Sequence, residues 1–212
     1  MMLKENRKKR NDLLAKKVIK GLESRNMTGY YVQTKEEAKN LALSLIPEKS
    51  KVSKGGSMTV KEIGLSAALA EGNYEFTDRD VKSDDPRAAA LLAYDADVYL
   101  CSANAITEDG VLVNIDGNSN RVSALAFGPR TVVVIAGMNK ICPDVDSAMK
   151  RARNEAAPIN AQRFGLKTPC VQTGSCMNCK SADTICCQFL ITRFSRHAGR
   201  IHVILVNDTL GF

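Results

Sequence analysis

The sequence predicts an α/β fold, with helices covering both faces of a mainly parallel sheet in three α/β/α layers. Three observations carry this expectation. Apolar runs of strand length alternate with amphipathic stretches of helix length along the chain. The run Thr131-Val132-Val133-Val134-Ile135-Ala136 lacks polar alternation, the mark of a strand buried on both faces. Helix-opening residues follow the strand candidates closely, which implies crossover connections and parallel pairing.

Residues 1–28 read as a basic helix with a partial apolar stripe of Leu3, Leu13, Leu14, Val18 and Leu22. A short strand is expected over 30–33. Thr34-Lys35-Glu36-Glu37 is then a capping box for a helix reaching Ile46, where Pro47 stops it. A strand at 51–54 runs into Gly55-Gly56-Ser57. A second box, Thr59-Val60-Lys61-Glu62, predicts a helix through Ala70 that Gly72 closes. Residues 74–77 form a strand, and Asp85-Pro86 opens a helix over 87–94. Strands follow at 97–102, 110–116 (in a hairpin or meander) and 131–136. Residues 143–163 are mostly helical, with Pro158 as a kink. A glycine- and cysteine-rich segment at 170–187 precedes strands at 188–194 and 201–206. With no repeat and no low-complexity linker, residues 1–212 read as a single domain.

Composition narrows the function. Hydrophobic content of 44% and charged content of 25% are ordinary for a globular chain. The net charge of +7 is concentrated: residues 1–20 carry eight bases against two acids. With 5% aromatics and no tryptophan, this reads as a solvated helix, with partner docking as a second option and nucleic acid set aside. No apolar run nears the roughly 18 residues that cross a bilayer, and no secretory signal opens the chain. The expectation is a cytoplasmic protein with no membrane span.

Two regions carry candidate ligand chemistry. A strand ending in Gly55-Gly56-Ser57 before a helix offers backbone amides to an anion, and an ordinary tight turn with a cap explains it about as well. It is neither a Walker A loop nor a dinucleotide fingerprint. The second region, 102–121, gathers Asn104, Glu108, Gly110, Asn118 and Arg121 at the expected ends of buried strands, where open α/β sheets place ligands. Glu108 stands between a strand and a glycine, as a base or nucleophile would, although the pattern by itself favours turn chemistry.

Several stretches in their order resemble the lactate-utilisation (LUD) domain family. They are Lys54–Leu65, Ala96-Asp97, Ala105–Val113, Gly128-Pro129-Arg130 before 132–137, Asn139-Lys140-Ile141, and the closing Ile204-Leu205-Val206 and Leu210-Gly211-Phe212. The likeness runs from about residue 10 onward. It implies the fold shared by ribose-phosphate isomerases, glucosamine-phosphate deaminases and coenzyme A transferases. On that fold Gly55, Gly56 and Ser57 would form a phosphate- or nucleotide-binding loop. Glu108-Asp109-Gly110 would lie near the Glu-x-Gly carrying the transferases' catalytic carboxylate. The resemblance implies support of L-lactate oxidation to pyruvate beside iron–sulfur or oxidoreductase partner proteins. An isomerase- or transferase-like enzyme using Glu108, and a non-catalytic assembly subunit, are the alternatives; a homo-oligomer fits either.

Cysteines form a separate signal. The spacing Cys170-x5-Cys176-x2-Cys179-x6-Cys186-Cys187 places several thiolate donors in a short, turn-rich segment, suited to zinc or an iron–sulfur cluster. Cys170, Cys176, Cys179 and Cys186 are the expected metal ligands, while Cys101 and Cys142 read as packing residues. His202 reads as core or edge, and His197 as a turn residue or a substitute metal ligand.

Overall fold

A computed structural model describes residues 2–80 and 84–212, and side chains from residue 5 onward, so Leu3 and Lys4 of the expected helix lie outside the described side chains. Six strands form the central sheet: β1 (Thr28–Val32), β2 (Lys51–Lys54), β3 (Glu75–Asp78), β4 (Val98–Cys101), β7 (Thr131–Gly137) and β10 (Ile201–Val206). Their order is β1-β10-β7-β4-β2-β3, and every pairing is parallel. Alternation along β7 explains the absence of polar residues. Val132, Val134 and Ala136 enter one apolar cluster, while Val133 and Ile135 enter the cluster on the opposite face.

Helices cover both faces. On the first lie α1 (Met2–Ser24), through buried Ala15, Val18 and Leu22, and α6 (Asn120–Ala126), through Ala124 and Leu125. Those α1 positions are spaced to share one helical face, whereas Leu13 is 69% exposed. On the second face lie α2 (Lys35–Ser44), α3 (Met58–Glu62) and α4 (Leu65–Glu71), through Ala38, Ala42, Val60, Leu65 and Leu69. The helix α5 (Pro86–Asp95) opens on Asp85, whose carboxylate accepts from the amides of Arg87 and Ala88.

The first capping box forms as expected, with the Thr34 hydroxyl accepting from the Glu37 amide. The second differs. Ser57 caps α3 by accepting from the Val60 amide, and Thr59 is free to turn its hydroxyl elsewhere. Nor is the helix continuous to residue 70, because Gly64 at φ 77° separates α3 from α4.

A second, four-stranded sheet lies apart, ordered β8 (Ile141–Cys142), β5 (Ala105–Thr107), β6 (Leu112–Asp116) and β9 (Gln188–Thr192). It packs on α7 (Val145–Arg151) through Ala105, Val113, Cys142 and Ala148. Beyond α7 the backbone widens into a π-turn over Ala152–Ala156 and returns to α-helix in α8 (Ala157–Arg163). Pro158 accounts for the change: it lacks an amide proton and its ring crowds the carbonyl four residues back, a conflict that a wider turn relieves. Among the described residues, no helix is long and apolar enough to cross a membrane.

Candidate functional site: a cationic cleft at the strand ends

The carboxyl ends of β2, β4 and β7 meet at one edge of the central sheet, where parallel α/β sheets present their loops to ligands. They deliver Gly56-Ser57, Ser102–Asn104 and Lys140, and the segment after β10 adds Gly211 and Phe212. Facing them, the π-turn and α8 contribute Ala156, Asn160 and Arg163, so the kinked helix forms the opposite wall. The inner chamber has a cavity volume of about 50 Å³ and adjoins an outer mouth of about 350 Å³. Both are bounded by Gly56, Ile115, Arg121, Asn160, Arg163 and Ile185.

Lys140 is the unusual group. Its residue is only 2% exposed, and its Nζ donates to Ser102 Oγ at 2.9 Å and Thr59 Oγ1 at 3.1 Å. Among the described residues no carboxylate pairs with it. Burial pushes its pKa down to about 7, and the positive charges of Arg151 and Arg121 push the same way. The amine is therefore part neutral and part charged near neutral pH.

Two guanidiniums flank the chamber. Arg121 donates to Asn104 Oδ1 at 3.0 Å and to the Ile115 carbonyl, and its buried Nε, beyond hydrogen-bond reach of any acceptor, lies 3.8 Å from Asp116 Oδ2 in an ion pair. Arg163 donates to Asn160 Oδ1 at 3.0 Å and lies over the Phe164 ring at 4.2 Å. No described carboxylate forms an ion pair with Arg163, and no described Asp or Glu side chain lines the inner chamber. Acids are confined to the mouth, where Asp80 and Asp116 stand beside Arg79. Asp80 and Asp78 hold the buried Lys54, the latter at 2.9 Å.

Gly56, Ser57, Asn104 and Arg121 come together in the inner chamber, and Asn118 lies at the mouth. Gly55 sits behind the lining: a Cβ there would be 2.5 Å from the Tyr99 hydroxyl and 3.0 Å from Arg121 Cγ. Its glycine character thus serves the packing of those two side chains. Glu108 and Gly110 line neither chamber. The Glu108 carboxylate pairs with Lys17 of α1, and Gly110 packs against the backbone of Gly21 and Leu22. That backbone contact fixes the β5–β6 turn on α1, and the Glu108 carboxylate meets the same helix at Lys17.

The cysteine segment borders the cleft through Ile185. Arg153 donates to Cys176 Sγ at 3.4 Å, and Ser181 donates to Cys179 Sγ at 3.6 Å. That hydroxyl, with the backbone amide of Ser181, holds the Cys179 thiol below its ordinary pKa. Cys186 is pushed up to about 11 by burial and by the nearby thiols of Cys176, Cys170, Cys179 and Cys187. All seven cysteines are free, and among the described residues no three His, Cys, Asp or Glu side chains are gathered as a metal site. Cys101 and Cys142 are buried in the core. His197 is exposed, whereas His202 Nδ1 lies 3.1 Å from the Tyr30 hydroxyl.

Lys140, Thr59, Ser102 and Arg163 were not singled out as site residues by the sequence. The available signal was a lysine just past the end of the most apolar strand, where a buried charge needs a reason.

Fold and cleft together define a parallel three-layer α/β protein with a cationic pocket at its strand ends. The LUD domain family model matches residues 15–206, and the chain belongs to that family. Membership carries a role related to lactate utilisation. In fold the chain is similar to the crystal structure of a DUF162 family protein from Deinococcus radiodurans, with TM-score 0.55 and 12% identity over 93% of this chain and 98% of that one. A comparison with curated proteins finds no significant match.

Proposed function

We propose that this protein binds a small 2-hydroxy or 2-oxo acid of the lactate–pyruvate class and serves the oxidation of L-lactate to pyruvate. The observation that carries the reading is the inner chamber itself, lined by Lys140, Arg121 and Arg163 and, among the described residues, by no Asp or Glu side chain. Arg163 suits a carboxylate, because charge-assisted bonds from a guanidinium match its planar oxygens and no described carboxylate is paired with it. Lys140, Ser102 and Thr59 would then meet the oxygen on C2. The electrons leave through an iron–sulfur or oxidoreductase partner in this reading, and this chain supplies the binding site.

Titration calorimetry with L-lactate, pyruvate, inorganic phosphate and a nucleoside monophosphate tests it. The two organic acids should bind, and Arg163→Leu should weaken them about tenfold to a hundredfold, as expected for losing a charged hydrogen bond of roughly 1.5–3 kcal/mol. Tight binding of the nucleotide alone would replace the acid reading with the nucleotide one.

The sequence spacing of the thiols carries a second element, a soft-metal or cluster site made from Cys170, Cys176, Cys179 and Cys186. The donors have the right chemistry for zinc or iron–sulfur, but their present placement does not fit a ready-made site. The segment would have to close around the metal, and no chemical step is assigned to it. Anaerobically purified protein should carry zinc or iron at a whole-number ratio to chain, and Cys176→Ser should lose it. Metal far below one per chain in the wild type would remove this element.

A further inference from the structure

We infer that Lys140 is a covalent residue that captures a 2-oxo acid as an imine through its Nζ, in the chamber formed by Ser102, Thr59 and Gly211. The inference rests on reading the cleft as a site for such acids and adds the identity of the reacting atom. A buried lysine usually has one of two structural explanations, an ion pair or a stem packed under an exposed amine. Neither holds here: the described residues provide no carboxylate partner, and the residue is 2% exposed. Its partners are two hydroxyl oxygens, each able to pass a proton.

The main chain comes close to the amine at Gly211, where the absence of a side chain keeps Nζ facing the chamber. A Cβ on Gly211 would lie 2.7 Å from Thr59 Oγ1 and 3.3 Å from Lys140 Nζ, so a side chain at this position would crowd the amine. The guanidinium of Arg163 lines the same chamber and would hold the acid's carboxylate while C2 faces the amine. Desolvation beside other cations is the known way for an enzyme to keep a lysine nucleophilic near neutrality.

The step balances without an oxidant. The nitrogen pair of the neutral amine forms a bond to C2, and the carbonyl π pair moves onto oxygen. That oxygen takes the proton lost from nitrogen, relayed by Ser102 or Thr59. The nitrogen pair then forms C=N as the C–O bond breaks, and the oxygen leaves as water with one further proton from solvent. The product is a protonated imine, and hydrolysis reverses the sequence. A 2-hydroxy acid has no carbonyl and would be bound without bond formation.

The test is borohydride trapping of the full-length protein with pyruvate, followed by peptide mapping by mass spectrometry, with calorimetric binding measured in parallel. The expected result is one reduced adduct, on Lys140, requiring both pyruvate and borohydride. It should form faster as pH rises through about 7 and be absent with L-lactate or in Lys140→Met. Pyruvate binding without an adduct, or adducts scattered over surface lysines, would overturn the inference and leave the binding reading standing. Absence of both binding and adduct would overturn the two together.

Discussion

Replacing Lys140 with methionine should make the protein more stable while removing its capture of 2-oxo acids. The downward displacement of the Lys140 pKa from 10.5 to about 7 means that the fold disfavours the charged amine, by roughly 5 kcal/mol at most. Methionine fills a similar volume without that cost, although Ser102 and Thr59 lose a partner at about 1 kcal/mol each. A net gain of about 2 kcal/mol is expected at pH 7, which is about 4–8 °C in the melting midpoint for a chain of this size. The pH dependence follows from the sign. Between about 7 and 10.5 the unfolded chain binds a proton at this lysine that the folded chain does not, so wild-type stability rises with pH in that window. The advantage of Lys140→Met should therefore shrink between pH 7 and pH 10. Melts of both proteins at those two pH values measure it, and a methionine variant less stable than wild type at pH 7 would contradict the argument. A functional group maintained against stability is the usual signature of a working site.

The largest loss of stability is expected at Gly110. It adopts φ 88°, and a Cβ there would lie 2.4 Å from the Leu22 nitrogen and 2.5 Å from the Gly21 carbonyl carbon. Both obstacles are backbone, so neither can yield by changing rotamer. The reciprocal contact is equally close, with a Cβ on Gly21 meeting the Asp109 carbonyl carbon at 2.4 Å. Gly110→Ala combines a left-handed backbone penalty of about 1 kcal/mol with forced separation of helix and hairpin. More than about 4 kcal/mol should be lost, seen as a collapsed denaturation midpoint or as insoluble protein. Gly165→Ala is the control, since that glycine also has positive φ but has nothing within 4 Å. It should cost only the backbone term.

The sequence made individual elements legible where local chemistry decides them. The β7 run needs no partner to be recognised as buried, and the caps at Thr34 and Asp85 satisfy amides only a few residues away. The second sheet was only partly visible, because β5 and β8 span three and two residues, too short for any period. The site depended on strand order. Lys140 meets Thr59 across 81 positions and Ser102 across 38, and it does so because β4 lies between β2 and β7. Nothing local to Asn139-Lys140-Ile141 announces that arrangement. Glu108 illustrates the converse: it follows a three-residue strand and precedes Asp109-Gly110, but Lys17, 91 positions away, determines where its carboxylate goes. Cysteine spacing, likewise, supplies donors without specifying their convergence.

The position of α1 has a consequence for the order of assembly. Its neighbour β1 pairs with β10, and Arg25 donates to the Arg193 carbonyl across 168 positions. Closing such long loops costs entropy before any contact rewards it, so this edge of the sheet is expected to be completed late. Until then the apolar stripe of Ala15, Val18 and Leu22 has nowhere to go, a dangerous state in a crowded solution. Lys16, Lys17 and Lys20 are interleaved with that stripe and exposed in the finished fold. Like charges flanking an apolar stripe oppose the pairing of two such helices, so the positive charge of α1 surrounds the very surface that the finished fold buries.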